Sequence, residues 1–163
     1  MNTTLPEIKI SVRALVEFIL RGGDLDNRRG KRAEREAMQA GSRLHRKLQR
    51  RMGAGYQAEV PLRYRVSMED FDCVIEGRAD GIFTEDGLVT VDEIKGVCRD
   101  TALIEEPVGV HLAQAKCYAY IYAVQQELPQ IRVRMTYCTI ETEQLKYFYF
   151  LYDSQELEDW FRS

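Results

Sequence analysis

Residues 73–96 read CVIEGRADGIFTEDGLVTVDEIKG, two runs rich in β-branched and aromatic residues hinged on Asp86-Gly87. An Asp-Gly pair between such runs signals a two-residue hairpin turn, because both turn positions need positive φ. Strands are therefore expected near 73–84 and 88–95, and a third run near 56–68 makes the middle of the chain a meander. Before it, Ser11 precedes a helical pattern at Val12, Leu15, Val16, Ile19 and Leu20 that Gly22-Gly23 would end. A second helical stripe, Ala37, Gly41, Leu44, Leu48 and Met52, is closed by Gly53 and Gly55. After the meander, Pro107 suits the first turn of a long helix reaching about Leu128, and Pro129 follows its end. Two more strands are expected at about 131–142 and 145–152, and Asp153 and Glu156 have capping-box spacing for a last helix. The order ααβββαββα, with helices set apart from a mixed sheet, points to an α/β or α+β sandwich.

A length of 163 residues fits one domain, 1–163, and no Pro/Gly/Ser-rich linker divides it. With 45% hydrophobic and 30% charged residues and only 4 Pro, the composition argues against disorder, collagen and coiled coil. No apolar run approaches the roughly 18 residues of a membrane span, and the first residues lack the plan of a signal peptide. A cytoplasmic protein without a membrane partner is the expectation. Cys73, Cys98, Cys117 and Cys138 stand singly, without the close pairs of zinc ribbons or iron–sulfur sites, so reduced and mostly packed thiols are expected.

The net charge of −3 hides a segregation: residues 28–51 hold ten Lys or Arg against Glu34 and Glu36, a local +8. Side chains alternate along a strand, so Glu93 and Lys95 share a face with the apolar Val89 and Val91, while Asp92 and Ile94 take the other. A turn at Asp86-Gly87 sets Asp80 opposite Glu93. Opposed carboxylates repel unless a cation or a proton lies between them, and hard oxygen donors fit Mg²⁺ or Mn²⁺. Lys95 supplies an ammonium able to contact phosphate or polarise a metal-side water. An isolated acid-x-Lys is more often a surface salt bridge, and here Gly77 and Asp80 on the partner strand add weight. Gly41 and His45 lie one turn apart on the basic helix, where Gly41 would allow close packing and His45 would complete a ligand set or serve as a bonded core histidine. Gln114 and Tyr118 lie one turn apart on the long helix, with His111 a turn earlier. A buried Gln114 amide needs partners that bound water or phosphate would supply, whereas Tyr118 also fits plain core.

In this order Gly41…His45, Gly77-x-x-Asp80, Glu93-x-Lys95 and Gln114-x-x-x-Tyr118 resemble the RecB-type branch of the PD-(D/E)XK nucleases, over about residues 11–150. The resemblance implies a restriction-endonuclease-like fold, a mixed central sheet flanked by helices. It also implies metal-dependent hydrolysis of DNA phosphodiester bonds, with single-stranded DNA or DNA ends as substrate and a role in DNA repair or processing. Carried onto this chain, His45, Asp80, Glu93 and the main-chain carbonyl of Ile94 would bind Mg²⁺ or Mn²⁺. Lys95 would position the attacking water, and Gln114 and Tyr118 would orient the site or the strand. Several relatives hold an iron–sulfur cluster on cysteines near both ends of the nuclease domain. The four cysteines here lie inside it, so no cluster is expected. Relatives are commonly one module of a larger protein, and the helix starting at Asp153 resembles the junction of an N-terminal nuclease module with a helicase domain in the same chain.

Arg43, Arg46, Lys47, Arg50 and Arg51 flank His45 on its own helix, so DNA phosphates drawn to them would be drawn toward the metal as well. No base-reading motif stands out, and little sequence preference is expected. Two rival readings remain at this point: a catalytically silent clamp for single-stranded DNA within a helicase, and a metal hydrolase acting on a small phosphate ester.

Overall fold

The computed structural model describes the backbone of residues 5–19 and 31–162, with the side chains of residue 19 and residues 31–40 left aside. Its elements run β1 (Glu7–Ser11), α1 (Val12–Ile19), α2 (Lys31–Arg51), β2 (Gln57–Ser67), β3 (Asp72–Glu85), β4 (Leu88–Val97), a 3₁₀ turn (Thr101–Leu103), α3 (Gly109–Gln125), β5 (Gln130–Thr139), β6 (Leu145–Asp153) and α4 (Ser154–Arg162). This is a mixed α/β fold. All the expected elements are present, and one strand is added: β1, which lies parallel to β3 with Glu7 beside Asp72 and Ser11 beside Glu76. Five mostly exposed residues carry little periodic signal, and their partner is far along the chain, so local pattern alone does not find β1. The sequence expectation of a helix starting at Pro107 is corrected by two residues, because Val108 in extended conformation is the N-cap and Gly109 opens α3. The proposed stop at Gly22-Gly23 lies outside the described residues.

Local chemistry explains the boundaries. Ser11 Oγ accepts the Ala14 N–H at 3.0 Å, an N-cap for α1. Asp86 and Gly87 have φ of 53° and 76°, as a type I′ turn requires. Glu156 N–H donates to Asp153 Oδ1 at 2.7 Å and Asp153 N–H to Glu156 Oε2 at 3.4 Å, a reciprocal capping box for α4.

The strand order is β1-β3-β4-β5-β6, with β2 on the other edge of β3. β4 and β5 are parallel and joined through α3, a crossover that such a pair needs, while β2–β3, β3–β4 and β5–β6 are antiparallel. Val12 and Val16 of α1, Ala115, Tyr118 and Ile121 of α3 and Leu157 of α4 bury one face of the sheet with Val91, Val133 and Met135. Leu44 and Leu48 of α2 cover the other face against Ile94 and Cys138. The four cysteines are free and fall on separate segments, with Cys117 and Cys138 buried and Cys98 exposed. Among the described residues no helix is long and apolar enough to cross a membrane.

The sheet forks at the middle of β3. β1 pairs with residues 72–76 and β4 with residues 81–85, so residues 77–80 have neither neighbour. On the opposite edge the β2 ladder passes from Ala58–Gly81 to Val60–Ala79, skipping Glu59 opposite Asp80. Glu59 there has φ of 54°, a left-handed conformation that costs a non-glycine residue about 1–3 kcal/mol unless its surroundings hold it.

Candidate functional site

The fork gathers the candidate residues. Glu93 is 5% exposed, and its Oε1 lies 3.3 Å from Lys95 Nζ. Lys95 Nζ also donates to Gln114 Oε1 at 3.0 Å. The ammonium is thus held by a carboxylate from its own strand and an amide from α3. The buried Gln114 oxygen has its partner inside the protein, which corrects the expectation that water or phosphate supplies it. Tyr118 is also buried, and its hydroxyl occupies the space beside Gly77, where an added Cβ would approach to 2.8 Å. Burial and then the charges of Glu93 and Asp80 push the Tyr118 hydroxyl up, so it keeps its proton and remains a donor.

Asp80 does not pair across the ladder with Glu93, as the turn geometry suggested. The ladder has the expected register but ends at Gly81–Asp92, one rung early. Freed from the rung, Asp80 Oδ2 accepts the Ile94 N–H at 2.7 Å, and Oδ1 lies 3.6 Å from His45 Nδ1. α2 therefore brings its histidine to the acid across the fork. Among the described residues Gly41 makes no close packing contact, since a Cβ there would meet none of their atoms within 4 Å.

The electrostatics of Glu93 are the most informative feature. Its carboxyl is held well above the usual carboxylate range, first by burial and next by the Asp80 charge, against the pull of Lys95. Glu93 Oε2 has no hydrogen-bond partner, one of two such buried side-chain atoms among the described residues, the other being Thr101 Oγ1. An orphaned carboxylate oxygen beside a second carboxylate and an imidazole fits a divalent ion, which would satisfy the oxygen and offset the repulsion. As they stand, no three His, Cys, Asp or Glu side chains among the described residues close into an ion-holding group.

Several contacts around the site were not legible in sequence. His111 Nδ1 lies 3.1 Å from the Tyr137 hydroxyl, which itself accepts the Val108 N–H at 2.9 Å. Burial, then Lys95 and Arg13, push His111 down to about 4, so the ring is neutral near pH 7. Behind the site, on the α2 face of β4, Asp92 is fully buried and receives Arg134 through both oxygens at 2.9 and 3.1 Å, Tyr56 at 2.6 Å and Thr136 at 2.6 Å. Tyr56 in turn lies over Gly81, where an added Cβ would come within 1.9 Å of its ring.

Arg43, Arg46 and Arg50 are exposed. Lys47 and Arg51 instead converge on Glu143 in the β5–β6 turn, Arg51 at 3.2 Å. Both cations are thus already paired with a carboxylate. Glu143→Gln is expected to tighten DNA binding by a few fold and to steepen its salt dependence by about one to two phosphate contacts, read from binding isotherms over a salt series. An unchanged affinity and slope would show that Lys47 and Arg51 do not face DNA.

The fold is similar to that of a solved structure described as "Crystal structure of SSO0001", with a TM-score of 0.59 at 19% identity, over 94% of this chain and 73% of that one. No family model and no curated protein matches the chain.

Proposed function

We propose that this chain is a Mg²⁺- or Mn²⁺-dependent deoxyribonuclease with a restriction-endonuclease-like fold, of the RecB-type branch of the PD-(D/E)XK nucleases. It acts on single-stranded DNA or DNA ends in DNA repair or processing, in the cytoplasm, as one nuclease module that can stand beside a helicase domain. The observation that carries this reading is the partnerless, buried Glu93 Oε2 next to Asp80, with Lys95 held alongside.

In this reading His45, Asp80, Glu93 and the Ile94 carbonyl hold the ion. When bound, it supplies Lewis-acid activation of water and charge stabilisation at phosphate oxygens. The chain's own residues do the rest. Lys95, fixed by Glu93 and Gln114, presents a positive charge without reorganisation, which is how a site stabilises charge developing on phosphate or water. Tyr118 keeps a donor beside the fork, and Asp80 uses the Ile94 amide to stay oriented. Arg43, Arg46 and Arg50 on the helix of His45 draw the DNA backbone toward the same place.

Labelled single- and double-stranded DNA incubated with Mg²⁺ or Mn²⁺ tests the proposal. Metal-dependent breakdown is expected, lost by about 10²–10³-fold in Lys95→Ala and Asp80→Ala. Binding of DNA without metal-dependent breakdown would identify a silent clamp instead.

A further inference from the structure

Gln49 sits one turn beyond His45 on α2, only 8% exposed, and no role is assigned to it above. Its amide nitrogen donates to the Asp80 main-chain carbonyl at 2.8 Å and to Glu59 Oε1 at 2.9 Å. Both amide hydrogens are therefore spent on the one skipped rung of the β2–β3 ladder. We infer that Gln49 is a positioning residue of the metal centre, a clamp that holds Asp80 at its place opposite His45. The inference rests on the metal-dependent reading proposed above.

Residues 77–80 lack β1 and β4 as ladder neighbours, so on that side the main chain of Asp80 has no ladder partner and the residue is held through its carboxylate, by the Ile94 amide. On the other side the rung with Glu59 is missing, and Glu59 keeps a left-handed φ of 54° that needs an external hold. Gln49 supplies that hold to both residues at once. The same helix thus touches Asp80 twice, through His45 at the carboxylate and through Gln49 at the carbonyl. With its carbonyl held by Gln49 and its carboxylate by the Ile94 amide, Asp80 is already oriented for an ion, and groups that orient ligands in this way commonly alter metal affinity when removed.

The test is Mn²⁺ binding by the full chain, followed by electron paramagnetic resonance and titration calorimetry, with circular dichroism to confirm folding. Gln49→Leu keeps much of the bulk and loses both donors, and it is expected to raise the Mn²⁺ dissociation constant by about 10–100-fold. Gln49→Lys returns a donor together with a positive charge that by itself opposes a cation. Affinity above that of Gln49→Leu is therefore expected to report the donor, which a purely space-filling role would not give. If Gln49→Leu does not fold, Glu59→Ala removes the other anchor from an exposed position, and a weakening in the same direction is expected. A folded Leu or Ala variant that binds Mn²⁺ as the wild type does overturns the clamp and leaves the metal site standing. A wild type that takes up no Mn²⁺ overturns both.

Discussion

Glu93→Gln is expected to abolish DNA cleavage, by about 10²–10³-fold or more, and at the same time to raise the melting temperature of the metal-free protein. The two effects share a cause. Glu93 is buried, faces the charge of Asp80, and leaves one oxygen without a partner, so its charged form is disfavoured in the folded state. A carboxyl whose folded-state pKa lies above its unfolded value near 4.5 favours folding most below that value. The contribution is withdrawn as the pH rises through the folded-state pKa. The wild type without metal should therefore lose stability relative to Glu93→Gln as the pH is raised, and the gap should be widest at neutral and alkaline pH. In a domain of this size each kcal/mol corresponds to about 2–4 °C in Tm. Melting curves with a chelator across the acid-to-neutral range, repeated with Mn²⁺, give the comparison. Mn²⁺ should stabilise the wild type and leave the Gln variant little changed. A Gln variant that still cleaves DNA, or melts below the wild type throughout, would remove Glu93 from the site.

Arg134→Met is expected to be the most destabilising single replacement, by about 3–5 kcal/mol, because it strands the fully buried Asp92 carboxylate. Arg134 meets both Asp92 oxygens, and its guanidinium lies between the rings of Phe83 and Tyr147, with centres at 4.6 and 4.8 Å. Asp92→Leu combined with Arg134→Met removes both charges and should recover part of the loss. Recovery stays incomplete because the Tyr56 and Thr136 hydroxyls lose their acceptor as well. Chemical denaturation of the two variants measures this, and a single variant as stable as the wild type would mean that the Asp92–Arg134 pair does not contribute to stability. Asp92 and Glu93 are adjacent on one strand and point to opposite faces, one acid fully bonded and the other partly unsatisfied. That contrast is why the proposed function assigns the ion to Glu93 and not to Asp92.

The sequence alone carried several features whose cause lies within a few residues. Asp86-Gly87 dictated the turn, and a two-residue turn dictates register, so Gly81 meets Asp92 as the reading of 73–96 requires. Ser11 and the Asp153/Glu156 pair marked helix starts through hydrogen bonds three residues long. Strand alternation placed Glu93 and Lys95 on one face, and they do meet. Folding in three dimensions decided the rest. Where the β3–β4 ladder stops, and so whether Asp80 pairs with Glu93 or with the Ile94 amide, depends on how β1 and β4 divide one edge of β3 while β2 takes the other. The partners of Asp92, Gln49, Lys47 and Arg51 come from other elements, 10 to 96 residues away. Periodicity tells which face a side chain takes, because that is a property of one strand or helix. What it meets there is settled by packing between distant elements, and no local pattern encodes that.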